Sequence, residues 1–403
     1  MRETLLNDAF FASLSRSAEG VETAEALPPA CYTDAEFYAF EKAALFNREW
    51  LCVGRESQVR EAGDYFTTHI IGEPIIVARN REGAIKAMSA VCQHRAMLVA
   101  EGAGNTRGFV CPYHHWVYSL NGDLVNAPAM ERTCDFDKRS VRLPTFKVEV
   151  WHGFIFINFD SEAAPLAPRL APVAAAIANY DLASAEGPPS VTGEFAWNWK
   201  VMLENNNDGY HASKLHRGPL HDFVPSELAS FPEADPSDAG FLRFNGTLHP
   251  DASFNPTQRA VLPVFPKLTA DDRGRMTFAN VPPTLSLVLT NDLAIYLILR
   301  ATGPETMEQD TGVLVAPGAT ADPAFEGRLG MIMTSAAKII AQDLHVDKLV
   351  QVGLRSRFAI RGRYSWQEGA QGQLNRWLVK RYQRAWAEMA ASITPAAAKA
   401  TAV

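Results

Sequence analysis

Cysteine is scarce in this 403-residue chain: there are five, at positions 31, 52, 92, 111 and 134. So few, and odd in number, they exclude a disulfide scaffold and fit a reducing compartment. Apolar runs are short as well. None reaches the roughly 20 residues that a bilayer-spanning helix needs, which argues against a membrane protein. The opening Met-Arg-Glu-Thr-Leu-Leu-Asn-Asp carries acids where a secretory leader would carry an apolar core, so no signal peptide is expected. Positive charge is not in excess either. A formal net charge of −7 speaks against nucleic acid or an anionic membrane as partner. No internal repeat is evident, nor any biased tract beyond the alanine-rich tail from Pro395. What remains is an ordinary globular composition, 47% hydrophobic and 21% charged, long enough for two or three domains. A soluble, cytoplasmic protein is the simplest expectation.

The few cysteines are not scattered. Cys92-Gln-His94 and Cys111-Pro-Tyr-His114 are two short pairs, each joining one thiolate to one imidazole, with sixteen residues between them. A single zinc could use the set, but zinc modules usually group like ligands together. One of each per loop suits a two-iron, two-sulfide cluster in which the thiolates hold one iron and the imidazoles the other. Pro112 stiffens the second loop, and Tyr113 and Trp116 can roof the cluster against water. In these residues the chain resembles the Rieske proteins, which implies a [2Fe-2S] cluster on Cys92, His94, Cys111 and His114. His115 stands where that family most often has glycine, and is expected to be a neighbouring contact rather than a ligand.

Along the chain, Thr33-Asp-Ala-Glu36 has capping-box spacing and opens a helix with Phe37, Phe40, Leu45 and Phe46 on its apolar face. The period then changes. Residues 65–71 and 74–78 read as strands, with Asn80-Arg-Glu-Gly83 as the turn into 84–90. Gly102-x-Gly104-x₃-Gly108 lacks the setting of a phosphate-binding loop and reads as a flexible connector. Asn121-Gly122 is a hairpin turn, and 148–159 one further strand. A boundary follows at the Ala- and Pro-rich 161–190, with a helix over 170–180. Beyond it, 285–290 and 293–301 form a hairpin, 225–283 show no clear period and read as loops covering or lining a pocket, and 373–391 are an amphipathic helix. The expected class is α+β: residues 1–46 as an N-terminal helical segment on the catalytic domain, 47–160 as a small all-β domain, and 161–403 as a larger catalytic domain with an antiparallel sheet flanked by helices.

The later domain holds Glu204-Asn-Asn-Asn-Asp208-Gly-Tyr-His211 and, five residues on, His216. On a regular helix, positions five apart diverge by roughly 140°, so the two rings converge only if the helix bulges or ends between them. Gly218-Pro219 suggests such an ending. A third ligand from a carboxylate would complete a facial triad for Fe(II). Asp343 and, one turn on, Asp347 are the candidates, on a helix expected over 335–353. Trp199-Lys200, Glu204-Asn205, Asp208-x-Tyr-His211-x₄-His216 and Asp343 with Gln351-x-Gly-Leu-x-Ser356 resemble the catalytic domain of the Rieske non-haem iron oxygenases, large (alpha) subunit. That resemblance implies Asp343 as the third ligand beside His211 and His216, with Asp347 as runner-up. The residue before the ligand is often Glu in the family and is Gln342 here. The resemblance also implies a homotrimer, with or without a small beta subunit, in which Asp208 links His211 to His114 of a neighbouring subunit.

Fe(II) must receive a second electron to cleave O₂, and a cluster with imidazole ligands is suited to pass one on. Without a flavin or nicotinamide fingerprint in the chain, the expected donor is a separate flavin/iron-sulfur reductase, directly or through a ferredoxin. The reading is a terminal oxygenase hydroxylating a small organic substrate. Family members demethylate betaine-like amines or hydroxylate aromatic rings. The step from Glu204 to His211 and the Leu27-Pro-x-x-x-Tyr-Thr-Asp34 opening resemble most the members acting on betaine-like amines. That makes N-demethylation the leading expectation and mono- or dihydroxylation of an aromatic ring or aromatic acid the alternative. The sequence does not decide whether Phe241, Phe244, Phe265 or Phe278 converge on a cation, or whether Arg243 or Arg300 clamps an acid. An electron-transfer protein without oxygenase activity would leave His211, His216 and Asp343 idle.

Overall fold

The computed structural model describes residues 4–217, 220 and 222–400, so Gly218 and Pro219 lie outside the described residues. The chain forms two compact units, Asn47–Pro165 and the sequence on either side of it.

The smaller unit is built of strands β1 (Leu51–Arg55), β2 (Asp64–Ile70), β3 (Glu73–Arg79), β4 (Ile85–Ser89), β5 (Ala103–Asn105), β6 (Phe109–Val110), β7 (Val117–Tyr118), β8 (Leu124–Asn126), β9 (Thr145–Trp151) and β10 (Phe154–Asn158). Seven join in the order β1-β10-β9-β4-β3-β2-β5, and β6-β7-β8 form a second sheet. The turn after β3 closes as its residues dictate, with Asn80 Oδ1 accepting the Ala84 N–H at 2.7 Å. Two expectations need correction. The stretch read as one strand over 148–159 is two, because His152 and Gly153 adopt φ of 49° and 77°, the left-handed pair that a two-residue hairpin turn requires. The glycine-rich connector also contains β5, which pairs with β2. Its Ala and Gly residues offer no side-chain pattern by which a strand could be recognised.

The larger unit carries helices α1 (Asp8–Ser13), α2 (Ala35–Glu41), α3 (Ala171–Ile177), α4 (Trp199–Asn207), α5 (Phe325–Leu354) and α6 (Gly369–Ala400). Its strands are β11 (Val191–Phe195), β12 (Ala229–Ser230), β13 (Phe241–Gly246), β14 (Arg275–Val281), β15 (Leu285–Leu289), β16 (Ala294–Gly303) and β17 (Thr306–Leu314). All seven pair antiparallel in the order β11-β17-β16-β15-β14-β13-β12. The N-cap of α2 is Asp34 rather than Thr33, since the Asp34 carboxylate accepts from the Glu36 and Phe37 N–H groups at 2.8 and 3.0 Å. Thr33 instead closes a preceding helical turn, Ala30–Thr33. The segment 225–283 is not all loop, for it supplies β12, β13 and β14. Helix α5 is longer than the 335–353 expected from sequence. A polar knot ties three helices: the Lys200 ammonium of α4 meets Glu41 of α2 at 2.8 Å with both side chains fully buried. Trp199 Nε1 donates to the same carboxylate at 3.0 Å, as does the Tyr382 hydroxyl of α6.

Candidate metal centres and the adjoining cavity

In the smaller unit the two ligand loops are the same turn used twice. The Cys92 N–H donates to Met97 O at 2.8 Å and the Ala96 N–H to Cys92 O at 3.0 Å; the Cys111 N–H donates to Trp116 O at 2.8 Å and the His115 N–H to Cys111 O at 3.0 Å. Ala96 and His115 occupy equivalent places, each at φ 56°. His115 therefore sits where a left-handed residue is required, which explains a glycine preference there. Both cysteines are buried, and the His94 and His114 rings lie 4.5 Å apart. Trp116 stacks on His94 at 4.8 Å, while the exposed Tyr113 lies against His114 at 3.8 Å. The Tyr118 hydroxyl is 3.4 Å from Cys92 Sγ. Burial first, and Cys92 second, hold that phenol well above its ordinary pKa, so it stays protonated. His114 Nδ1 is buried with no hydrogen-bond partner. Two buried thiols and two adjacent imidazoles, one with a buried nitrogen that has no protein partner, fit the donor set of a two-iron, two-sulfide cluster.

In the larger unit α4 stops at Asn207, and its end is fixed by side chains. Asn207 and Asn280 of β14 exchange amide hydrogen bonds at 3.0 and 2.6 Å, and Ser286 donates to Asn280 at 2.7 Å. Asp208 then turns the chain by accepting the Tyr210 N–H at 2.6 Å. His211 opens a 3₁₀ turn and His216 follows it, so the helix ends before the first histidine rather than between the two. Asp343 approaches from α5. Its Oδ1 is 2.9 Å from His216 Nε2 and 3.5 Å from His211 Nε2, and the two Nε2 atoms are 3.1 Å apart.

The far side of each ring is already engaged. His211 Nδ1 meets Asp208 Oδ2 at 3.0 Å and His216 Nδ1 meets Gln342 Oε1 at 2.9 Å. Both oxygens accept only, so the Nδ1 atoms carry the hydrogens and both Nε2 atoms turn bare lone pairs toward Asp343 Oδ1. With the rings neutral, two imidazole lone pairs and a carboxylate oxygen converge on one point, a set that fits a divalent cation with open positions. Burial disfavours the imidazolium at His216, but Asp343 and Gln342 outweigh it and raise its pKa, another sign that positive charge is welcome there. Burial likewise opposes the Asp208 anion, yet the hydrogen bond and charge of His211 and the Tyr210 N–H keep its carboxyl below the usual range. Asp347 is not part of this convergence. It is buried, not a surface acid, and burial followed by the charge of Asp343 pushes its pKa up to about 8.

A cavity of about 220 Å³ opens beside the three donors. Met276, Val288, Ile295 and Leu297 give it apolar walls, with Arg243 and Gln309 among the polar contributions. Of the four phenylalanines considered from sequence only Phe278 lines it; Phe241, Phe244 and Phe265 do not, whereas Phe195 and Phe254 do. Arg300 is also absent from the lining, being held by Asp310 and Glu308. Sequence reasoning missed Asn207, Asn280 and Ser286, although the Asn-rich run before Asp208 was visible. Gln351 has a structural part: its Oε1 accepts the Asn198 N–H at 2.8 Å, next to the start of α4.

Residues 181–384 match the family model for the ring hydroxylating alpha subunit (catalytic domain), and residues 49–147 match that for the Rieske [2Fe-2S] domain. The chain is 32% identical over 244 residues to the carnitine monooxygenase oxygenase subunit of Escherichia coli (strain K12), covering 57% of this chain and 64% of that protein. It is 33% identical over 215 residues to benzene 1,2-dioxygenase subunit alpha of Pseudomonas putida, covering 51% and 48%. The chain thus spans between about half and just under two thirds of those relatives' own length. In structure it is similar to a quaternary ammonium Rieske monooxygenase in complex with gamma-butyrobetaine (TM-score 0.75, 21% identity, 94% of this chain and 99% of that one). At that identity the likeness is one of fold. No helix among the described residues is both long and apolar enough to cross a membrane.

Proposed function

Because the chain belongs to the ring-hydroxylating alpha-subunit family, with a Rieske domain ahead of the catalytic one, we propose that it is the terminal oxygenase of a multicomponent system, hydroxylating a small organic substrate with O₂. The observation that carries this reading is the meeting of His211 Nε2, His216 Nε2 and Asp343 Oδ1 beside a largely apolar cavity. When bound, Fe(II) supplies open positions for dioxygen, and the [2Fe-2S] cluster on Cys92, His94, Cys111 and His114 supplies an electron. The chain's own part is to orient the imidazoles through Asp208 and Gln342, to bury His216, and to wall the reacting carbon away from water. Electrons come from a separate flavin/iron-sulfur reductase in the cytoplasm, directly or through a ferredoxin. The working assembly is a homotrimer, with or without a beta subunit, in which Asp208 meets His114 of a neighbouring subunit.

The substrate reading favoured by the carnitine monooxygenase relative is N-demethylation of a betaine-like amine, in which a methyl carbon is hydroxylated and leaves as formaldehyde. Ring hydroxylation is the second reading, favoured by the aromatic and aliphatic walls around Phe254 and Phe278. A substrate screen with a surrogate reductase separates them by formaldehyde release against diol formation. Purified protein is expected to be red-brown with about three iron atoms per chain, of which His211→Ala removes one. A colourless protein holding zinc would overturn the oxygenase reading.

A further inference from the structure

Arg243 stands out among the buried cations. It lies on β13, is 3% exposed and lines the cavity. Among the described residues no carboxylate comes within 4.0 Å of its guanidinium. Its terminal nitrogen donates to Asn245 Oδ1 at 3.1 Å, its Cζ sits 4.1 Å from the centre of the Phe278 ring, and its buried Nε has no hydrogen-bond partner. The backbone of Gly209 packs against it so closely that a Cβ there would lie 3.4 Å from Cζ and Nε. Asp208 is the acid whose field reaches it, but both Asp208 oxygens are engaged, one by His211 and the other by the Tyr210 N–H. Burial outweighs that field and pulls the guanidinium down to about 10, still charged at neutral pH. Lys200 is buried as deeply, yet has Glu41 in contact, and Arg300 is paired with Asp310. A buried cation without a contacting anion is costly, and the space that could hold one is the cavity.

We infer that Arg243 is the specificity-determining residue of this cavity, its guanidinium receiving the carboxylate of an anionic or zwitterionic substrate while the apolar walls take the rest. A planar fork with free N–H groups matches a carboxylate in shape as well as charge. The assignment deepens the oxygenase reading and rests on it for the cavity being the substrate site. It selects one substrate class under either chemistry: a betaine carries a carboxylate and so does an aromatic acid, whereas a bare quaternary ammonium would meet like charge.

The test is calorimetric binding to the fully metal-loaded protein, anaerobic and without reductant, using two matched pairs: glycine betaine against choline, and benzoate against benzyl alcohol. The carboxylate of at least one pair should bind roughly tenfold tighter or more than its alcohol partner. Arg243→Met should abolish that preference by weakening the carboxylate alone, and Arg243→Lys should restore part of it. Should Arg243→Met not fold, Arg243→Gln reports the same loss. Binding of all four probes alike, binding of none, or a preference that survives Arg243→Met or Arg243→Gln would overturn the assignment. Failure of the oxygenase reading shows elsewhere, as missing iron or missing product in the unaltered protein, and would leave a measured carboxylate preference standing.

Discussion

One helical turn separates two carboxylates of α5 whose surroundings give them opposite states. Asp343 faces the imidazoles; Asp347 is 1% exposed, and burial with the charge of Asp343 outweighs its hydrogen bond to Asn205. Its pKa therefore rises from 3.8 to about 8 on folding, so across that window the native state holds a proton the unfolded chain has released. Stability contributed by this group must then fall as pH rises from 3.8 and level off above 8. Asp347→Asn should flatten that slope, leaving the variant more stable than the unaltered chain above pH 8, as melting curves across pH on chelator-treated protein would show. Identical profiles would contradict the buried neutral acid. The sequence located both acids but not their difference, because spacing along a helix says nothing about which side lies under other elements. The two Cys/His pairs and the histidine pair stood out as candidates for the opposite reason: metal chemistry favours particular residue types at short spacing.

At the scale of elements, Glu41 holds α2, α4 and α6 together through Lys200, Trp199 and Tyr382. Removing the anion leaves an ammonium with no exposure and no counter-ion, a loss of about 3–5 kcal/mol. Glu41→Ala should accordingly lower the melting temperature by roughly 10 °C, whereas Glu41→Gln, which keeps an acceptor for Lys200, should lose less. Equal melting of both variants with the unaltered chain would show the knot to be inert. The hairpin turning at Asn121-Gly122, the hairpin of 285–290 with 293–301, and helices with clear apolar stripes were readable in advance. Strands β13 and β14 were not. They carry Arg243, Asn245, Thr277 and Asn280 at buried positions, so the alternation by which a strand is recognised is broken where the strands anchor α4 and line the cavity.

At the scale of the whole molecule, Asp208→Asn is the decisive substitution. Both metals should stay bound and the assembly should persist, while product formed per reduced cluster falls roughly 10–100-fold. Full turnover by that variant, measured with a chemically reduced cluster, would refute a bridge through Asp208. Substrate was the least legible property, since the cavity is assembled from α4, α5 and six strands spread over more than a hundred residues, no two of which advertise their meeting. Connectivity is simpler. The smaller unit leaves the chain after residue 46 and rejoins it at 166, and its outermost segments, β1 and β10, are hydrogen-bonded neighbours, Leu51 opposite Ile157. A module that departs and returns through one doorway can be exchanged by a single cut-and-splice, so redox tuning and substrate choice are free to evolve, or to be engineered, as separate cassettes.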